Sequence, residues 1–162
     1  MLIPSRRAML LLAGATALTS SGCAGTVPLD AKGALKRATN GPLYVGAAEN
    51  LPWTRVADDG TVSGPEADLI RDYASGIGAR IHWTRDAVSE LARRMKDDQL
   101  DLVIGGLAAD TPWSDKIAPT RPYRTVRSAD GSKQKLVIGV RPGENALQVS
   151  LERFLARRSG EL

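Results

Sequence analysis

The chain has 162 residues, among them 22 Lys and Arg, 18 Asp and Glu, one His and one Cys, and 43% of it is hydrophobic. That is enough for one domain and short for two, and no apolar run reaches the roughly 18 residues of a membrane-spanning helix. One cysteine makes no internal disulfide, and one histidine without a cysteine cluster makes no zinc site. Half of the formal +4 comes from Arg6 and Arg7, and the other charges are interspersed, which argues against nucleic-acid binding.

Met1 to Gly22 carries no acid. A basic pair precedes an apolar core from Ala8 to Leu18 and the small residues Thr19-Ser20-Ser21-Gly22, a pattern that predicts a secretory signal peptide. Ser5-Arg6-Arg7-Ala8-Met9-Leu10 resembles a twin-arginine export signal. Gly22-Cys23 is similar to a bacterial lipobox, with Ser20 in the usual leucine position; the resemblance implies lipidation of Cys23 and a membrane anchor, with Ala24 matching outer-membrane sorting. Ordinary cleavage to a soluble periplasmic protein is the alternative. Residues 23–42 are expected to form a tether, with at most a short helix near Ala31–Arg37.

From Leu43 short apolar strands alternate with amphipathic helices, which predicts an α/β class with a mostly parallel sheet flanked by helices. Leu43–Gly46 is the first strand. Asp58-Asp59-Gly60-Thr61 is a turn between segments near Thr54–Val56 and Thr61–Val62. A helix is expected over Pro65–Gly76, with Glu66 and Asp68 at its positive end, then a strand over Ala79–Trp83. Asp86 or Ser89 caps a helix running to Asp97, in which Val88, Leu91, Ala92 and Met95 share a face. Leu100–Ile104 reads as a central parallel strand ended by Gly105-Gly106. Lys135–Val140 is the last strand, and a final helix over Glu144–Arg158 buries Leu147, Leu151, Phe154 and Leu155, with Glu144 as part of its cap.

Leu43-Tyr44-Val45-Gly46 with Pro52-Trp53, Gly64-Pro65-Glu66-Ala67-Asp68-Leu69, Leu100 to Leu107 and Thr120-Arg121-Pro122-Tyr123 come in an order that resembles the extracellular solute-binding protein family 3. These are the amino-acid-type periplasmic receptors of ABC transporters. The resemblance implies a type II periplasmic-binding-protein fold, in which two lobes close on a ligand about a hinge. Here Arg124–Lys135 stand where a second lobe would be inserted, so a single lobe over 43–158 is expected. Family members present a Ser or Thr and an Arg beyond the glycine pair; Ala108 and Trp113 stand in those places. Losing a bidentate Arg–carboxylate contact costs about 1.5–3 kcal/mol. A micromolar site, about −8 kcal/mol, that kept half its contacts would fall to roughly millimolar affinity.

Glu49, Asn50, Trp53, Asp110, Thr111, Trp113 and Arg121 are the candidate ligand-binding residues, since ligands of open α/β sheets bind beyond the carboxyl ends of strands. Each has a structural alternative: the tryptophans as loop anchors, the acids and Thr111 as caps, Arg121 as an exposed loop residue. His82, between Ile81 and Trp83, reads as structural. The expectation is an exported, lipid-anchored, single-lobed module that binds a small polar or amino-acid-like ligand weakly, as an accessory to a transport system with a membrane permease. No cofactor, metal or nucleic acid is implied. The rival readings are an interaction protein that pairs the old cleft face with another chain or a second copy, and an enzyme using Glu49 and Asp110.

Overall fold

A computed structural model describes residues 30–128 and 131–160; Cys23 and the expected leader lie outside the described residues. The elements are α1 (Ala34–Ala38), β1 (Pro42–Ala47), β2 (Arg55–Val56), β3 (Val62–Ser63), α2 (Pro65–Gly76), β4 (Arg80–Arg85), α3 (Val88–Lys96), β5 (Leu102–Ala108), β6 (Ala118–Pro119), β7 (Arg124–Arg127), β8 (Lys133–Val140) and α4 (Asn145–Ser159).

Six strands form one sheet in the order β4-β1-β5-β8-β6, with β7 also paired to β8, while β2 and β3 make a separate antiparallel ribbon. β4, β1 and β5 pair in parallel, and β8 is antiparallel to β5, β6 and β7, so β8 alone is reversed. Period-two alternation in β1 sorts the core. Leu43, Val45 and Ala47 join Ile70 and Tyr73 of α2 and Leu147 and Leu151 of α4 on one side. On the other side Leu91, Ala92 and Met95 of α3 meet Leu100, Val103 and Ile117. The sequence-predicted face of α3 is the buried one, with Leu91 and Met95 fully enclosed. β5 is buried through Leu107 because β1 and β8 flank it and helices cover both faces.

The segment before β1 includes the short helix α1, close to the one expected near Ala31–Arg37, and it packs against the core. Asp30–Gly41 do not form a tether. Asp30 Oδ1 accepts the Leu147 N–H (2.9 Å) and its Oδ2 the Leu35 N–H (2.7 Å), while Glu144 accepts from Lys32 N–H and Ala34 N–H, both at 2.9 Å. Asp30 thus bridges the starts of α4 and α1, and Glu144, expected to serve α4, satisfies donors at the start of α1 instead. Arg124–Lys135, expected to stand in place of a second lobe, pair into the sheet at both ends. They form β7 and the first turn-proximal residues of β8, joined through backbone bonds from Ser128 N–H to Ser132 O and from Gly131 N–H to Ser128 O, both 2.9 Å. Their polar composition fits an edge strand.

The ends of the lobe differ in character. At the end where β8 finishes, Asp101 (1% exposed) accepts from Arg37 and from Arg141 Nη2 at 3.0 Å, and its other oxygen accepts the Tyr44 N–H at 3.0 Å. The carboxyl ends of β1, β4 and β5 emerge at the opposite end and carry the loops discussed next.

Candidate functional site

The loop after β1 folds back on itself. Asn50 and Thr54 form an isolated antiparallel bridge, and Asn50 Nδ2 donates to Gly105 O at 2.9 Å, tying the loop to the end of β5. Trp53 O accepts the Glu66 N–H at 3.1 Å, and the Arg124 guanidinium lies 5.5 Å from the Trp53 ring. That contact has the geometry of a cation–π pair.

At the centre of this loop cluster is Glu66, wholly buried. Its Oε2 accepts from Thr54 Oγ1 (2.7 Å), Gly105 N–H (2.9 Å) and Gly106 N–H (2.9 Å), and its Oε1 accepts from Tyr123 Oη at 2.6 Å. Four donors compensate the desolvated carboxylate. Burial and the Glu66 charge together raise the Tyr123 phenol well above its ordinary value, with Arg124 opposing. Gly106 needs its glycine twice over: its φ is +63°, and a Cβ would lie 2.5 Å from Asn50 Nδ2. Glu66 thus fixes where the β5 end meets the β1 loop. In the sequence it stood as an acid in the first turn of α2, within the Gly64–Leu69 motif, and was not among the candidate site residues.

A groove of about 540 Å³ opens beside this cluster, lined by Ala47, Ala48, Glu49, Val56, Arg85, Asp86, Ala87 and Val88. Alanines floor it, β2 forms one wall, and the approach to α3 forms the other. Glu49 is exposed at its rim. Asp86 Oδ1 accepts the Ala87 N–H at 2.9 Å, and Arg94 stands 3.8 Å from its other oxygen. Of the sequence candidates only Glu49 lines this groove.

The remaining candidates are dispersed. Asn50 and Trp53 surround Glu66. Asp110 lines a separate concavity of about 370 Å³ with Ser128, Lys133 and Lys135. Thr111 is buried, and its Oγ1 is 3.4 Å from the Trp113 N–H, within a short turn that leads to Ile117. Trp113 packs against the α3-side core under the Lys116 ammonium, 5.7 Å from its ring, and so has different surroundings from Trp53. Arg121 donates its N–H to Glu152 Oε1 at 2.8 Å, on the α4 side. His82 is exposed, its ring 5.3 Å from that of Tyr44. Sequence reasoning missed Arg85, Asp86 and Val88 as groove residues, because Asp86 and Val88 each had a sufficient local explanation in α3. Among the described residues no cluster of three His, Cys, Asp or Glu is placed to hold a metal, and no helix is long and apolar enough to cross a membrane.

Residues 43–161 match the bacterial extracellular solute-binding proteins, family 3, and the chain belongs to that family. No curated protein matches it. Among solved structures it is similar to the arginine-bound form of domain 1 from TmArgBP of T. maritima, at 21% identity and a TM-score of 0.65, covering 75% of this chain and 97% of that one. It is also similar to an ancestral cationic amino acid solute binding protein, at 13% identity and a TM-score of 0.65, covering 80% of this chain and 93% of the other. A third likeness is to a binding component of an ABC transporter from Wolinella succinogenes complexed with lysine, at 13% identity and a TM-score of 0.64, covering 74% and 91%. At such identities the likeness is one of fold: a single domain of a type II periplasmic binding protein.

Proposed function

We propose that this chain is an exported, single-lobed solute-binding module that takes a basic amino acid or a similar small cation in the groove beside Glu49, weakly and with fast release, as an accessory to a transport system. The observation that carries this reading is the pairing of Glu49 and Asp86 in one open groove at the carboxyl ends of β1 and β4. Two carboxylates facing one small volume favour a cationic ligand, and the alanine floor leaves room for it.

Family membership supports a binding rather than a catalytic role. The arginine-bound domain 1 of TmArgBP supports the view that one lobe can hold such a ligand. The short β7–β8 turn stands in place of a second lobe, so the ligand stays open to water on one side, and affinity is set in the roughly millimolar range by the missing contacts. Export through the leader and anchorage through Cys23 place the module in the periplasm, at the outer membrane. A permease would be its partner there.

Titration of the mature chain with L-arginine, L-lysine and L-glutamate, followed by amide chemical shifts, tests the reading. Saturable shifts at Glu49, Asp86 and their neighbours with the two cationic ligands, and none with glutamate, are expected. Equal response to all three, or none, overturns it.

One observation favours a second reading, an interaction module paired with another chain or a second copy. Leu51, at the tip of the β1 loop, is 57% exposed. Sedimentation that revealed a dimer abolished by Leu51→Ser would favour that reading over ligand binding.

A further inference from the structure

A ligand with an α-carboxylate needs a cationic partner, and the residue that the family resemblance places beyond the glycine pair is here Trp113. Its indole is packed against the α3-side core and supplies no positive charge. The groove itself contains one: Arg85, the last residue of β4, whose register partner is Ala47 on the groove floor.

Two features set Arg85 apart. Its guanidinium is seated on the β2–β3 turn, where a Cβ added at Gly60 would lie only 1.5 Å from Arg85 Nη1; Gly60 also has a φ of +88°. Glycine at that position therefore both permits the turn and leaves space for the guanidinium. Among the described residues no carboxylate lies within ion-pairing distance of Arg85, and Asp59, which feels its charge, is bonded instead to the Thr61 N–H at 2.8 Å. Arg85 is exposed beside the turn, and its charge reaches Asp59 through space. Other arginines with structural duties contrast with it: Arg141 is committed to Asp101, and Arg158 to Asp72.

A basic amino acid carries two cationic groups and one carboxylate; the groove is lined by two carboxylates, Glu49 and Asp86, the latter with Arg94 at 3.8 Å, and by one guanidinium, Arg85. We propose that Arg85 holds the α-carboxylate of the ligand, replacing the absent arginine beyond β5, while Glu49 and Asp86 receive its two cationic groups. This rests on the reading of the groove given above and moves the carboxylate subsite from the β5 end to the β4 end of the lobe. Arginine suits the task because its fork pairs with both carboxylate oxygens, whereas lysine offers a point charge.

Comparison of L-arginine with agmatine, the same molecule without its carboxylate, tests the proposal on the mature chain. The unaltered protein is expected to bind arginine about tenfold more tightly than agmatine. Arg85→Ala should remove that preference by weakening arginine alone, and Arg85→Lys should restore part of it. Thermal melts of the variants show whether they are folded, and Arg85→Gln keeps the stem if the alanine variant is not. Equal weakening of both ligands by Arg85→Ala would make Arg85 a structural residue and overturn the proposal. Equal binding of both ligands by the unaltered protein would overturn it too. If Glu49→Gln then still weakens both, the groove reading survives alone; if neither ligand binds the unaltered protein, both readings fall.

Discussion

Tyr123 Oη lies 2.6 Å from Glu66 Oε1, and through this contact the strand entering β7 is joined to the glycine pair at the end of β5. The bond is a neutral donor on a buried charge, so Tyr123→Phe should cost about 1.5–3 kcal/mol in urea unfolding. Glu66→Gln should cost more, about 3 kcal/mol, because an amide presents donors where the site already has four. A loss below about 0.5 kcal/mol for Glu66→Gln would contradict the bonding described.

The same pair sets an alkaline limit. Burial and the Glu66 charge raise the Tyr123 phenol above its ordinary 10.0, so the unfolded chain gives up this proton first. The stabilisation is complete below about pH 10 and is lost progressively as pH rises above it. Tyr73, raised by burial, adds to the same slope. Stability measured between pH 9 and 11.5 should therefore fall less steeply in Tyr123→Phe than in the unaltered protein; parallel curves would contradict it.

Asp101 and Asp98 both face Arg141, but burial separates their energetic weight. Asp101 is 1% exposed and pairs with both Arg37 and Arg141, so Asp101→Asn leaves the enclosed Arg141 guanidinium only the longer contacts to Glu144 (3.6 Å) and Asp98 (3.8 Å), an expected loss of about 3 kcal/mol. The Lys32–Asp98 pair is solvated on both sides, so Asp98→Asn should change stability by less than about 1 kcal/mol. Denaturant midpoints for the two variants provide the comparison.

The capping of α1 shared by Asp30 and Glu144 predicts non-additivity. Alanine at either position should cost about 1–2 kcal/mol. Because both acids hold the segment before α1, its release by the first substitution removes part of what the second can lose, and the double variant should cost less than the sum. Hydrogen exchange at Ala34 and Leu35 should accelerate in each single variant.

Within the groove, Glu49→Gln should weaken arginine binding about two- to fivefold at low salt, the range of a solvent-exposed charge pair, and less at high salt. Asp110→Asn should leave it unchanged, since Asp110 lines a different concavity. An equal effect of the two substitutions would mean that both loops bind one ligand.

Much of the fold was legible because its signals are local. Leu91 and Met95 share a helical period, the Leu100–Ile104 run has the composition of a strand buried on both faces, and Pro65 marks a helix start. β7 was illegible because Arg124-Thr125-Val126-Arg127 carries no apolar alternation; its pairing with β8 comes from tertiary position rather than composition. The site was less legible than the fold. Glu66 gathers donors from positions 54, 105, 106 and 123, which no spacing rule connects, and its place in α2 already had an adequate explanation. Glu144 behaved similarly: an acid before a helix suggests a cap, and only the folded chain reveals that the helix it serves is another one.

The pairing of Arg127 with Lys133 leaves the two ends of the β7–β8 turn at cross-strand distance, on a strand that among the described residues pairs with β8 alone. Any polypeptide whose own ends lie side by side can be spliced there without pulling on the sheet. The turn is therefore a natural port for a fluorescent reporter, set apart from the groove at β1 and β4 by the width of β5.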